Sequence, residues 1–213
     1  YLAHKEDITE KKRTAARIQQ LSRHDQLTGL PNRSLLHEQF RHATASGQTL
    51  AALWIDLDNF KDVNDSLGHS MGDMLLLEMT RRLRSSLQTQ DILSRHAGDD
   101  FVALLPASSQ HAAAAMAERL LATLSQPVQL AGQEVSCTAS IGIALYPTDA
   151  EAFEALLHQA ETAMYRVKED GRNSYCFFTA AMQERSARIL ALGHALKQAQ
   201  QRGELHLVYQ PQM

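Results

Sequence analysis

Apolar residues recur along the chain with two periods, and the two alternate from end to end. Residues 51–58 read Ala-Ala-Leu-Trp-Ile-Asp-Leu-Asp, a run apolar on both faces that ends in acids at alternate positions. A strand apolar on both faces is a central, buried one, and alternate positions put Asp56 and Asp58 on one side of it. The same density returns at 93–106, where two apolar runs flank Ala97-Gly98-Asp99-Asp100. This predicts a hairpin whose turn carries the acids, with Phe101, Ala103 and Leu105 on one face and Val102 and Leu104 on the other. Further strands are predicted at 127–130 and 134–146, folded about Ala131-Gly132, and at 173–178. Gly142, inside a strand, implies close approach of another backbone.

Between these runs the spacing turns helical. After a wide turn over 25–31, Asn32 caps a helix to residue 45, with Leu35, Leu36, Gln39 and Phe40 facing inward. A short helix at 59–66 and a longer one at 70–87 follow, the second carrying Leu75, Met79, Leu83 and Leu87 on one face. Further helices are predicted at 108–124, with Ala113, Met116, Ala117 and Leu120 inward, at 152–169, stopped by Gly171, and at 180–201, with Ile189, Leu190, Leu192 and Leu196. Residues 1–24 carry a loose stripe of Ile8, Ala15, Ile18 and Leu21, and residues 203–211 open a new strand. Helices interleaved with strands make this an α+β chain.

Composition narrows the picture. With 213 residues, 44% of them hydrophobic, the chain buries one sizeable core. A net charge of −3, a pI near 6.4 and scattered basic residues argue against unspecific nucleic-acid binding. Cys137 and Cys176 lack metal spacing and read as reduced packing residues of a cytoplasmic domain. The apolar runs are short for a membrane span, and the chain reads as a piece of a longer protein.

The acids are the candidate chemistry. If the strands lie side by side, Asp56 and Asp99 converge on one hard cation, and one or two carboxylates completed by water and substrate phosphates suit Mg²⁺. The pattern then reads as metal-assisted phosphoryl or nucleotidyl transfer. An acidic hairpin turn that is merely solvated fits the hairpin alone equally well. Asn64 and Asp73 flank the turn between two helices and offer an amide and a carboxylate together, a pairing suited to guanine and equally found in helix caps. Lys168 and Arg172 bracket a helix C-terminus, which is also ordinary dipole chemistry. Asp25 is expected to pair with Arg95 and steady the hairpin base.

Five blocks, in order, resemble the GGDEF (diguanylate cyclase) family over residues 22–178. They are Asp25-Gln26-Leu27-Thr28-Gly29-Leu30-Pro31-Asn32-Arg33, the run from Asp56 to Asp65 with Gly68-His69 and Gly72-Asp73, the signature Ala97-Gly98-Asp99-Asp100-Phe101, Ser140 to Ala144, and Tyr165 to Asn173. The resemblance implies a nucleotide-cyclase-like, ferredoxin-like α/β sandwich with a central, mainly antiparallel five-stranded sheet wrapped by helices. It implies condensation of two GTP molecules to cyclic di-GMP and two pyrophosphates, by a homodimer using Mg²⁺ or Mn²⁺. Asp56, Asp99 and the Leu57 carbonyl are the implied metal ligands, and Asp99, Asp100 and Lys61 the implied catalytic set. Asn64 and Asp73 would bind guanine; Asn59, Phe60, Gly98, Lys168 and Arg172 would contact the rest of the nucleotide. The signature departs from the family at Ala97, where the family has glycine, and at Asp100, where it has glutamate. An arginine of the family's product-inhibition motif is Gln88 here, which predicts no feedback binding of cyclic di-GMP there, because glutamine lacks the guanidinium fork. The run Asp7-Ile8-Thr9-Glu10-Lys11-Lys12 is similar to the tail of PAS sensor domains, and Tyr209-Gln210-Pro211 to the start of EAL phosphodiesterase domains. The implied layout is a sensor tail and linker over 1–24, the GGDEF domain over 25–178, a linker helix over 179–203 and the start of an EAL domain over 204–213. A GTP-binding regulator of that EAL domain and a purely structural dimerisation module between sensor and effector are the competing readings.

Overall fold

A computed structural model describes residues 23–106 and 109–204; the expected helix before residue 23 and the strand after 204 lie outside them. One compact unit closes at Phe178, and a second begins at Thr179. In the first the elements run α1 (Arg33–Ala45), β1 (Leu50–Leu57), α2 (Phe60–Leu67), α3 (His69–Ser86), β2 (Ile92–Ala97), β3 (Asp100–Pro106), α4 (Gln110–Leu124), β4 (Val128–Leu130), β5 (Gln133–Val135), β6 (Ala139–Tyr146), α5 (Phe153–Glu169) and β7 (Tyr175–Phe177).

The main sheet has five strands in the order β2-β3-β1-β6-β7. Every neighbouring pair is antiparallel except β6 and β7. β1 is buried along its whole length, which is why its sequence lacks polar alternation. Its odd-numbered residues Ala51, Leu53, Ile55 and Leu57 join Phe101, Ala103, Ile141 and Ile143 in a core covered by α3 and α4. Its even-numbered residues Leu50, Ala52 and Trp54 join Val102, Leu104 and Ala144 under α1 and α5. The two faces of β3 divide as its alternation predicts. At Gly142 a Cβ would overlap the Ala160 carbonyl oxygen and the Met164 amide nitrogen, so glycine lets α5 lie directly on β6.

Two predicted strands are corrected. The expected strand over 134–146 is two: β5 closes a small ribbon with β4, and β6 enters the main sheet. The break over 136–138 follows from a change of partner. Asp58 N donates to the Thr138 carbonyl at 2.9 Å, and the Thr138 and Ser140 hydroxyls each donate to the Asp58 carboxylate at 2.7 Å. The closing strand expected over 173–178 shrinks to β7, because Arg172 and Asn173 hold φ of 66° and 48° and cannot extend. The second unit contains α6 (Ala180–Gln201), on which Leu192 and Leu196 are exposed.

Candidate active site

The site is assembled at the end of the sheet where β1 stops and the β2–β3 hairpin turns. Gly98 takes φ of 51° to make that turn, a left-handed conformation that glycine adopts without steric cost. A bulge in β2 between Arg95 and Ala97 lets the strand bend at the tip. Arg95 grips the turn from below: Nε and Nη2 donate to the Gly98 carbonyl at 2.9 and 2.5 Å, and Nη1 donates to both Asp25 oxygens at 2.9 and 3.1 Å. The expected Asp25–Arg95 pair is therefore present and also buttresses the signature turn. Asp25 is fixed in turn by the Thr28 amide and hydroxyl at 2.8 and 2.6 Å. Burial works to raise the Asp25 pKa, but those hydrogen bonds and Arg95 together hold it below the usual carboxylate value. Ala97 is not among the non-glycine residues with positive φ, so alanine adds no backbone strain there.

Asp56, the last residue but one of β1, is almost fully buried, at 7% exposure. Its Oδ2 meets Lys168 Nζ, from the end of α5, at 2.6 Å, and its Oδ1 is buried with no partner. Burial pushes the Asp56 carboxyl up to about 6, opposed by Lys168 and reinforced by Asp99 and Asp100. Burial also raises the Asp99 carboxyl, at the hairpin tip. Asp100 stands opposite Asp56 in register, and its Oδ1 accepts the Trp54 indole N–H at 2.9 Å. The carboxylate expected to act in catalysis is thus engaged by a strand residue. Among the described residues no three His, Cys, Asp or Glu side chains converge as a metal cage. A buried Asp56 carboxylate with one oxygen unpartnered, and Asp99 near enough to raise its pKa, fits a cation that keeps waters and takes phosphates, as Mg²⁺ does.

The chain leaves β1 through Asp58 and Asn59, and the φ of 57° at Asn59 starts α2 sharply, so the Asn59 and Phe60 amides come two and three residues after Leu57. Lys61 is exposed at this start, and Arg172 is exposed in the turn after α5. Neither side chain pairs with the site acids among the described residues. Across the α2–α3 turn, the Asn64 amide lies so close to Gly72 that a Cβ there would overlap its Oδ1. Asp73 follows, exposed at the start of α3. Arg172 N donates to the Val167 carbonyl at 2.9 Å, which fixes the loop that carries its side chain.

Sequence reasoning assigned no role to three residues that the structure engages. Asp58, 4% exposed, gathers Thr138, Ser140 and the Asn173 amide, tying the loop after α5 to the end of β1. Its place beside Asp56 in the motif was the available signal. Trp54 holds Asp100, and only its position two residues before Asp56 hinted at it. Arg82 is buried on α3 and donates to the Leu124 and Pro127 carbonyls at 3.3 and 3.0 Å, closing the end of α4. Burial pushes the Cys137 thiol up to about 12, in keeping with a packing role.

Residues 22–174 match the family model described as diguanylate cyclase, GGDEF domain. The chain is 44% identical over 198 residues to the bifunctional diguanylate cyclase/cyclic di-GMP phosphodiesterase MucR of Pseudomonas aeruginosa, covering 91% of this chain and 29% of MucR. It is 39% identical over 209 residues to the cyclic di-GMP phosphodiesterase PdeR of Escherichia coli K12, covering 97% and 32%. The chain therefore spans less than a third of these relatives. A solved structure of TpbB from Pseudomonas aeruginosa, comprising only its GGDEF domain, superposes with a TM-score of 0.71 at 40% identity, covering 79% of this chain and 99% of that one.

Proposed function

Because the chain belongs to the GGDEF family of cyclic di-GMP signalling domains, we propose that residues 25–178 bind GTP with Mg²⁺ or Mn²⁺ and act as a diguanylate cyclase. Two GTP molecules would be joined into cyclic di-GMP with release of two pyrophosphates. The observation that carries this reading is the Asp56 carboxylate, with one oxygen buried and unpartnered and the other on Lys168. Leaving such an oxygen unsatisfied is costly, and a hard cation satisfies it. Asp56, Asp99 and the Leu57 carbonyl would hold the cation, which when bound neutralises phosphate charge and polarises the α-phosphate. The Asn59 and Phe60 amides with Lys61, Lys168 and Arg172 would hold the phosphates. Asn64 and Asp73 would hold guanine, and Gly98 would let the turn pass close to the nucleotide. Two subunits face to face would present each 3′-hydroxyl to the other's α-phosphorus, the new O–P bond forming as the bond to pyrophosphate breaks. No side chain serves as nucleophile, so the rate rests on positioning and charge neutralisation.

A second reading, a GTP-binding regulator of an adjoining phosphodiesterase, is favoured by one observation. Asp100, where the family has glutamate, is bound to Trp54. In either case residues 1–24 would be the tail of a PAS-like sensor and its linker, residues 179–203 a linker helix and residues 204–213 the start of an EAL domain.

The test is the chain fused to a dimeric coiled coil, given GTP and Mg²⁺ and assayed for cyclic di-GMP by chromatography, with Asp99→Ala as the blank. Product above the blank is the expected result. GTP binding without product would establish the regulator instead.

A further inference from the structure

Trp54 is the chain's single tryptophan and is 4% exposed. Its cross-strand partner on β3 is Val102, which makes Asp100 its diagonal neighbour, a position that large rings reach across antiparallel strands. The indole donates to Asp100 Oδ1 at 2.9 Å, and His96 packs against the ring at 4.8 Å between centroids, tilted by 52°. An indole nitrogen only donates, so the bond needs an acceptor such as this carboxylate. Asp100 also stands directly opposite Asp56, and like charges so placed repel. Asp100 helps to line a hollow of about 370 Å³ together with Arg33, Trp54, His96, Glu154 and Glu161. Neither Asp56 nor Asp99 lines that hollow.

We propose that Trp54 is a positioning residue, whose indole N–H holds the Asp100 carboxylate out of the cation's coordination shell and leaves Asp56 and Asp99 as the carboxylates that face it. This rests on the reading of Asp56 and Asp99 as metal ligands. Trp54→Phe keeps an aromatic ring and removes the donor. Asp100 is then free to turn toward Asp56, and a third carboxylate strengthens divalent binding.

The experiment is a calorimetric titration of the full 213-residue chain with Mn²⁺ alone. Mn²⁺ is expected to bind Trp54→Phe at least about threefold more tightly than the unsubstituted chain. The gain disappears when both proteins also carry Asp100→Asn. Equal affinities for Trp54→Phe and the unsubstituted chain overturn the proposal while leaving the metal site standing, as does a change that persists with Asp100→Asn. No Mn²⁺ binding by the unsubstituted chain overturns the metal reading and this inference together. If Trp54→Phe does not fold, fluorescence decides. Asp100→Ala removes the acceptor and is expected to shift the Trp54 emission maximum in the metal-free protein, and an unmoved spectrum overturns the proposal.

Discussion

At the scale of single residues, charge at the site is balanced by partners distant in sequence, and the balance is measurable. Asp25 and Arg95 are joined by two hydrogen bonds, and the same guanidinium carries the Gly98 carbonyl. Asp25→Ala leaves Arg95 half-paired and loosens the turn. The expected cost is about 2 kcal/mol in urea denaturation, with turnover falling while the chain still folds. Asp56 gives a pH signature. Its folded pKa of about 6 lies above the ordinary carboxylate value. In metal-free protein the native state therefore binds more protons than the unfolded one between about pH 4 and 6, and stability falls as pH rises through that window. Asp56→Asn removes this titration, so its stability relative to the unsubstituted chain should improve from pH 4 to 7 in thermal melts with chelator. A difference that does not change with pH would refute the assignment.

At the scale of elements, two glycines differ in what a side chain there would meet. Gly142 faces the backbone of α5, which has nowhere to move. Gly142→Ala is expected to cost 2 kcal/mol or more, at the upper end of overpacking, in the same denaturation assay. Gly72 faces the flexible end of Asn64. Gly72→Ala should leave stability nearly unchanged and weaken GTP binding by displacing that amide, as read by nucleotide titration. The elements themselves were largely legible. The double-faced apolar runs announced β1 and β3, and the Asn32 cap is present, its side chain accepting from the Ser34 and Leu35 amides. The partner change over 136–138 was hidden because the hydrophobic alternation runs through it, and only the tertiary grip of Asp58 breaks the strand. The Trp54–Asp100 and Lys168–Asp56 contacts were hidden for a related reason. Each depends on which strand or helix end becomes a neighbour, and no local pattern encodes that.

At the scale of the molecule, placing β1 between β3 and β6 brings three stretches of chain to one end of the sheet, and α5 crosses behind them to add Lys168. No helix among the described residues is long and apolar enough to cross a membrane. The ion pair between the end of α5 and the end of β1 has a consequence for thermodynamic linkage. On the proposed function, while Lys168 neutralises Asp56 a cation arriving alone would have to displace the ammonium, and a triphosphate arriving alone would have to draw it from its carboxylate. Arriving together, each releases the partner that the other requires. Mg²⁺ and GTP should therefore bind with positive cooperativity, and by reciprocity Mg²⁺ raises the affinity for GTP by the same factor that GTP raises the affinity for Mg²⁺. Lys168→Met should reduce that factor in paired titrations, leaving only the direct attraction between cation and phosphates, because there is no internal counter-ion left to displace.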